Sequence, residues 1–599
     1  MSEQIVTDHT IEALKVAAGW PDADRATLVT LATLLAATGA DEEGAEFFTS
    51  LADRQPDRAV PQAMAGYFQV RAGHDVAAGL ARLDDAASRD LGPAQYFRGL
   101  ALAALLADTV LADTVLADTG LADTVLADTG LAERAIADLE FVLAVRDQFP
   151  SNMMRAVYQG LAAAYAAAGK PDQAAQAAAD SGLSTAPAHT RLQFGGGWMN
   201  LADGFHMSSP SIVEIAPGVR VAQGYDFGDF AFVSTSDGTV AIDAGTAPDR
   251  VRAALADAGL QAADVRQVML THAHFDHAGG ISALADADTA VIAQAGFPAE
   301  LQHQHAVSFP FRYFTGNGAG FGNGDLGAKP EDIIPQRLVS DVTPLSIGGT
   351  DFVLYPTTGG ETRDALMVYL PASGVLFAGD VMMPYVGAPF FAEGSPDGLL
   401  ETLALIAEIG PRILVHGHTL LTEQFTARAV PGLLAALTEL RDAALRGIRR
   451  GQTLTELLDA NVLPGSLRDN PASVVPYLVV REHFVQRILH DQRGYWQPDG
   501  QGLEPVSTAS RAAALDLLAG GRPGPFADAA RALLAQRDAA LALEIATAGL
   551  TRYPGDGDLA VLRQQALYRL MERHQLEDPF RFLIYAELAG VELGPVATS

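Results

Sequence analysis

Between positions 271 and 280 the chain reads THAHFDHAGG, which sets His272, His274, Asp276 and His277 side by side in a protein with only 14 histidines. Such a cluster reads as a metal site, a nucleic-acid surface or a chance polar loop. Imidazole and carboxylate are the donors a divalent ion such as zinc accepts. His272 and His274 are two residues apart, so they can share one ion only where the chain curls at the end of a strand. Asp276 and His277 are adjacent and can turn toward a second ion. Ala273 and Ala278 leave room around them, and Gly279 and Gly280 permit a tight approach of whatever follows. The chain has no cysteine, which excludes thiolate chemistry and disulfides and leaves His, Asp and Glu as the metal donors.

The flanking sequence supplies the support these residues need. VRQVMLT (265–271) is an apolar run that reads as a buried strand emptying directly into the cluster, and functional side chains gather just past such strand ends. SIVEIAPGVRVAQ, DFAFVSTSDGTVAIDAG, TAVIAQ and DFVLYPT read as further strands, with SDG (236–238) as a hairpin turn. APDRVRAALADAG reads as a helix, Pro248 in its first turn and Gly259 as its stop. The mixture predicts an α/β domain, either mixed or of αββα type.

Outside that region the periodicity is helical. Residues 1–190 predict a helical, repeat-like domain, with GKPD (169–172) separating two helices in the manner of stacked repeats. Inside it LADTV/G recurs in tandem from Leu106 to Gly130. A five-residue period advances roughly 140° per repeat on an α-helix, so its leucines form no single stripe. Residues 436–599 predict a second helical domain, and 191–435 lie between as the domain that carries the cluster.

Composition narrows the partners. The 599 residues include 72 acidic and 40 basic ones, a formal charge of −32. Such a surface repels phosphate backbones and anionic membranes, which predicts no nucleic-acid partner and no stable membrane association. An anionic substrate would need a local positive centre. The opening MSEQIVTDHT has neither a basic region nor an apolar run, and no apolar stretch of about 18 residues follows. A cytoplasmic location is expected.

H-x-H-x-D-H followed by Gly-Gly resembles the signature of the metallo-beta-lactamase fold hydrolases. The resemblance implies a metallo-beta-lactamase-like αββα sandwich, here flanked by N-terminal and C-terminal all-helical domains, and it implies further ligands. GETRDAL (360–366) offers Glu361 where many relatives carry histidine, GVLFAGD offers Asp380, and RILVHGHT offers His418, with His416 the second choice. The implied arrangement places His272, His274 and Glu361 on one Zn2+ ion and Asp276, His277 and His418 on a second, with Asp380 bridging. Asp276 would also orient the attacking water or take its proton.

A glutamate in place of that histidine resembles the alkyl sulfatase branch of the superfamily. FPFRYFTGNGAGFGNGDLG (309–327) is similar to that branch's glycine-rich insert, and VREHFVQRILHDQRGYWQPDGQGLEPVS (480–507) and FRFLIYAELAGVEL to its helical dimerisation domain. The resemblance implies hydrolysis of alkyl sulfate esters by a homodimer that takes a small-molecule ester. Other readings are a lactone, thioester or phosphoester hydrolase of the same fold, or a non-catalytic helical scaffold with a structural metal site. No Arg or Lys occurs between Asp380 and residue 400. The expected substrate contacts are therefore Arg312, Tyr313, Arg363 and Tyr385, with His303 and His305 as further candidates. Arg363 also reads as an ion-pair partner for its neighbours Glu361 and Asp364.

Overall fold

The computed structural model describes residues 3–73, 75–89, 92–107, 130–146, 149, 153–180, 192–194, 197–200, 204–206, 210–285, 289–306, 332–385, 394–460, 463–494, 500, 503–574 and 578–590. Contacts divide the chain into two compact units, built chiefly from Leu14–Asp203 and Gly204–Val591. Among the described residues no helix is long and apolar enough to cross a membrane.

In the first unit, helices Asp41–Arg54, Ala59–Arg71, Val76–Arg89 and Pro93–Ala107 follow one another through short turns, each packing on its neighbour. Helices Gly130–Ala144, Met154–Ala167 and Pro171–Asp180 continue the series. An aromatic row closes the core: Phe48 stacks on Phe68 at 5.6 Å, and Tyr67 meets Phe97 at 5.3 Å. Arg98 clamps the buried carboxylate of Asp138 through Nε and Nη2, both at 2.7 Å. Strands β1 (Leu192–Phe194) and β2 (Gly197–Asn200) pair antiparallel. Most of the LADTV/G tandem, from residue 108 to 129, lies outside the described residues.

The second unit begins with strand β3 (Gly204–His206) and then forms two mixed sheets. The first contains β4 (Ser211–Ala216), β5 (Val219–Gln223), β6 (Phe230–Thr235), β7 (Gly238–Ile242), β8 (Val265–Met269), β9 (Ala290–Gln294) and β10 (Arg337–Val339), laid down in sequence order. It is antiparallel from β4 to β7 and parallel from β7 to β10. The second sheet contains β11 (Thr343–Ile347), β12 (Thr350–Pro356), β13 (Leu366–Leu370), β14 (Val375–Phe377) and β15 (Ile413–Val415). Helix Pro396–Ile409 makes the crossover between the parallel pair β14 and β15, the connection such a pair requires.

Alternation of side chains along each strand splits the first sheet's residues between two cores. Phe230, Phe232, Val265 and Val268 face a layer with Val251, Ala254 and Leu255 of helix Pro248–Asp257. Ala231, Val233, Val240, Ile242 and Met269 face the other way and meet Phe352, Leu354, Leu366, Val368 and Phe377 of the second sheet. Full burial of each such side chain contributes about 1.5–3 kcal/mol, so this inter-sheet layer fixes the register of the strands that end at the cluster. Flanking helices complete an αββα arrangement with helical regions on its N-terminal and C-terminal sides in sequence. Past the sheets, helices Val430–Arg449 and Val474–Arg493 pack together, and Phe526, Ala530, Ala546 and Leu559 centre a further helical core.

Candidate metal centre

Strand β8 delivers the cluster to the seam between the two sheets. Leu270 N donates to Ile292 O at 2.9 Å, and Leu366 N donates to Thr271 O at 2.7 Å. The chain is thus pinned on one side by its own sheet and on the other by the first residue of β13. His274 then lies at the N-terminus of a single helical turn, Phe275–Ala278, that carries Asp276 and His277.

Asp243, at the end of β7, holds this loop. Its backbone is left-handed, with φ of 60°, a conformation that costs a residue other than glycine about 1–3 kcal/mol and persists only where the surroundings enforce it. Three hydrogen bonds do so here. Oδ1 accepts from Thr271 N at 2.7 Å, while Oδ2 accepts from Thr271 Oγ1 at 2.7 Å and from His277 Nδ1 at 2.9 Å. With its own proton committed to Asp243, Thr271 Oγ1 can only accept from His272 Nδ1, 3.0 Å away. His418 Nδ1 donates to Phe227 O at 2.8 Å. Each of these imidazoles therefore has its Nδ1 proton committed outward and Nε2 turned inward, the atom that becomes a metal donor once its proton is displaced.

The inward atoms fall into two groups, His272–His274–Glu361 and Asp276–His277–Asp380–His418, and within each group the donor atoms all lie within 4.8 Å of one another. In the first, Glu361 Oε2 is 3.4 Å from His272 Nε2 and Glu361 Oε1 is 3.4 Å from His274 Nδ1. In the second, Asp276 Oδ2 is 3.3 Å from both His277 Nε2 and His418 Nε2. Asp380 Oδ2 is 3.4 Å from His277 Nε2 and 2.8 Å from His418 Nε2. Ligands at about 2.0–2.2 Å from a tetrahedral ion stand roughly 3.3–3.6 Å apart. Nearly all of these separations match that edge. The two groups adjoin, with the His272 and His277 rings 4.2 Å apart.

Burial supports the same reading. All seven side chains are at most 5% exposed, and His272 Nε2 and Asp380 Oδ1 make no hydrogen bond among the described residues. Three carboxylates in a dry interior are costly unless positive charge accompanies them. In the protein alone, that charge is borrowed from imidazole. Burial by itself would depress His418, but Asp380 and Asp276 outweigh it and push the imidazole up to about 10. His277 likewise rises well above its usual value against the effect of burial, through Asp276, Asp380 and Asp243. His272 goes the other way, held neutral by burial and by its neighbours His277 and His274. Burial would raise Asp276 and Asp380, yet the paired histidines keep both carboxyls well below the usual range. A cation bound here would displace protons from His277 and His418 and take over their role.

The structure brings together His272, His274, Asp276, His277, Glu361, Asp380 and His418. His416 stands apart: its Nε2 contacts Phe425 O at 3.0 Å, and burial lowers it to about 4. Arg363 is 70% exposed and reaches Glu300 at 3.7 Å, so its ion-pair partner is neither Glu361 nor Asp364. Tyr385 is fully buried against Phe484, ring centroids 5.7 Å apart, and its hydroxyl has no hydrogen-bond partner among the described residues. His303 is exposed. Arg312, Tyr313 and the side chain of His305 lie outside the described residues. The sequence reading missed Asp243 and Thr271, whose signal was an acidic residue closing the apolar run TVAI. It also missed Asp229, which accepts from Thr419 Oγ1 at 2.8 Å beside His418 and is raised to about 7 by burial.

Residues 224–418 match the metallo-beta-lactamase superfamily, and all seven clustered residues fall within that span. The chain is 23% identical over 322 residues to a linear primary-alkylsulfatase of Pseudomonas sp. (strain ATCC 19151), covering 48% of this chain and 60% of that protein. It is 26% identical over 171 residues to a hydroxyacylglutathione hydrolase of Rhodobacter capsulatus, covering 28% of this chain and 54% of that one. The chain thus spans little more than half the length of these curated relatives. Among solved structures, the stereoselective inverting sec-alkylsulfatase Pisa1 from Pseudomonas sp. has a similar fold. It superposes with a TM-score of 0.51 at 18% identity, over 65% of this chain and 66% of that one.

Proposed function

We propose that this chain, whose residues 224–418 form a domain of the metallo-beta-lactamase superfamily, is a metal-dependent hydrolase of alkyl sulfate esters with two zinc ions per subunit. The observation that carries the reading is the division of seven buried donors into two adjoining groups, with Glu361 completing the first. The mixed nitrogen and oxygen donor set suits zinc. Similarity to a linear primary-alkylsulfatase supports the substrate class.

His272, His274 and Glu361 would hold one ion and Asp276, His277 and His418 the other, with Asp380 shared. Such ions supply a water acidified to near neutral pH and positive charge where oxyanion charge develops. The chain's own groups do the rest. Asp243, Thr271 and Phe227 O keep the imidazoles in one tautomer, so the donors are organised before substrate arrives. Asp276, with one oxygen facing both His277 and His418, orients the attacking water and takes its proton. The buried Tyr385 hydroxyl offers a hydrogen bond to an ester oxygen; leaving such a group unpaired costs about 1–3 kcal/mol. Arg363 is assigned to the anionic head of the substrate, since its contact with Glu300 is long and exposed. Arg312 and Tyr313 are assigned to the same head from the sequence. The reading includes a cytoplasmic homodimer joined through the helices beyond residue 436.

Metal analysis of the purified chain should give two ions per subunit. A panel of medium-chain alkyl sulfates, aryl sulfates, lactones, acyl thioesters and phosphoesters should single out alkyl sulfates. Their turnover should vanish on chelation and in Asp276→Asn. Sulfate release that survives chelation sinks the mechanism. Preference for acyl thioesters would transfer the assignment to the second reading, which the similarity to a hydroxyacylglutathione hydrolase favours. A monomeric mass in solution scattering at micromolar concentration would remove the dimer.

A further inference from the structure

An arginine of the helices beyond the second sheet reaches back toward the metal centre. Arg487 lies on helix Val474–Arg493, half-buried, and its Nη2 donates to the carbonyl oxygen of Gly394. Gly394 is packed directly on the peptide that carries Glu361. A Cβ at Gly394 would stand 2.2 Å from Gly360 O and 2.8 Å from the carbonyl carbon of Glu361. Gly360 is pressed in turn onto the residue after Asp380, for a Cβ there would stand 2.0 Å from Val381 O. Backbone is stacked on backbone at distances that leave no slack. A displacement of Gly394 is therefore transmitted to the Gly360–Glu361 peptide, and from there to the strand end bearing Asp380.

Further packing supports this contact. Phe484, one turn before Arg487, packs its ring against Tyr385, five residues past Asp380. Past Gly394, Ser395 caps helix Pro396–Ile409 by accepting from Gly398 N at 2.9 Å. Gly398 rests on Gly359, where a Cβ would come within 2.7 Å of Gly359 O. The loop holding Glu361 is thus backed by a short segment whose own position depends on the guanidinium of Arg487.

We propose that Arg487 is a positioning residue for Glu361, so that the C-terminal helical region sets the affinity of the His272–His274–Glu361 group for its ion. The inference rests on the proposed two-ion reading of the site. Groups that orient a metal ligand typically change affinity about 10–100-fold when removed, although Arg487 acts one step further away, through backbone.

The test is a zinc titration of the full chain against competing chelators, resolving a tighter and a weaker site, on the parent, Arg487→Ala, Arg487→Lys, Glu361→Gln and Glu361→Gln/Arg487→Ala. If the parent binds no zinc, the two-ion reading itself has failed. With two ions bound by the parent, Arg487→Ala should weaken one site by about tenfold and leave the other within about twofold. Arg487→Lys, which keeps a donor for Gly394 O, should recover most of that loss. In the Glu361→Gln background Arg487→Ala should have no further effect, because the group it positions is already disabled. Equal loss at both sites, no loss at either, or full additivity with Glu361→Gln would each overturn the proposal. If Arg487→Ala does not give a cooperative thermal transition, Arg487→Met, which keeps the apolar stem and removes the donor to Gly394 O, takes its place with and without Glu361→Gln and is judged by the same coupling criterion.

Discussion

Gly417→Ala isolates the geometry of the metal centre from its chemistry, because it adds one methyl group and removes no donor. Gly417 follows β15, between His416 and His418, and its backbone is fixed on both sides. Gly417 N donates to Gly379 O at 3.0 Å, and Gly417 O accepts from Asp229 N at 2.7 Å. A Cβ built there stands 2.2 Å from Asp380 Oδ1 and 2.5 Å from His277 Cε1, whereas ordinary contact begins at 3.4 Å. Two donors of the same group must therefore retreat by about an ångström, or the pinned backbone must. Overpacking of this kind costs about 1–3 kcal/mol of stability, which a domain of this size can survive. The site cannot absorb it as easily, since a displacement of about 1 Å in a catalytic array can lose about a hundredfold. The expected result is a folded protein with a near-normal helical circular dichroism spectrum. It should bind the ion of the His277 group at least about a hundredfold more weakly, with a smaller loss at the other ion, which shares Asp380, as read by chelator competition. Gly417→Ala with two ions bound at parental affinity would refute the reasoning, because it would mean that Asp380 and His277 do not meet an ion where the structure aims them.

Asp243→Asn should lower zinc affinity about 10–100-fold. The amide nitrogen can accept from neither Thr271 Oγ1 nor His277 Nδ1, so the His277 tautomer changes, and nitrogen-15 NMR of the ring should show the proton moved to Nε2. Glu361→Gln should weaken one ion and spare the other, with no loss of fold; equal weakening of both ions in a zinc titration would break the division into two groups. Phe352→Ala, in the layer between the sheets, should cost about 3–5 kcal/mol in denaturant unfolding. Acid should loosen the contact between helices Val474–Arg493, Gly557–His574 and Pro579–Leu588. Burial holds His574 down to about 3 against 6.5 for the ordinary group. The unfolded chain therefore takes up this proton as pH falls below about 6.5, while the folded chain refuses it until about 3, and stability declines across that window. Asp578 is held down to about 2, against the pull of burial, by His483 and Arg581, which extends the loss through the range from about 4 to 2. Metal-free protein followed by hydrogen exchange should open first in these helices, and His574→Gln should flatten the slope between about pH 6 and pH 4.

The histidine cluster was legible because its four donors are contiguous and follow an apolar strand; β8 ends where that reading requires. Glu361, Asp380 and His418 lie between 84 and 146 residues from His272 and His277, and only the family resemblance brought them into view. Asp243 was not legible. A single aspartate after a strand reads as turn chemistry, and its importance comes from a left-handed backbone and from partners 28 and 34 residues away. Strands β10, β11 and β13 escaped for different reasons. β11 carries Pro344 and lies at the edge of its sheet, where proline is tolerated but disguises a strand, and β13 begins immediately after the GETRDAL motif. Arg363 shows the limit of neighbour reasoning, since its carboxylate partner comes from helix Phe297–Ala306 and not from the two acidic residues beside it. Arg487 has no local signature at all. The role proposed for it rests on its contact with Gly394 O, 93 residues away.

The composition demanded a local positive centre for any anionic substrate, and the charge balance of the centre indicates what can provide it. Asp276, Asp380 and Glu361 bring three negative charges, the clustered histidines are neutral when they act as ligands, and two divalent ions bring four positive charges. Under the proposed two-ion reading the donors and ions together are net positive by one charge before the attacking water loses its proton. A histidine at position 361 would shift that value upward by one. Under that reading Glu361 leaves only a small positive balance, which depends on the ions. At physiological ionic strength the Debye length is about 8 Å, so the acidic surface behind the overall charge of −32 is largely screened, while a buried array is screened far less. The absence of Arg or Lys between Asp380 and residue 400 is then compatible with a sulfate ester. Under the proposed reading the ions would supply the positive charge that draws the anion, and the basic side chains would orient it.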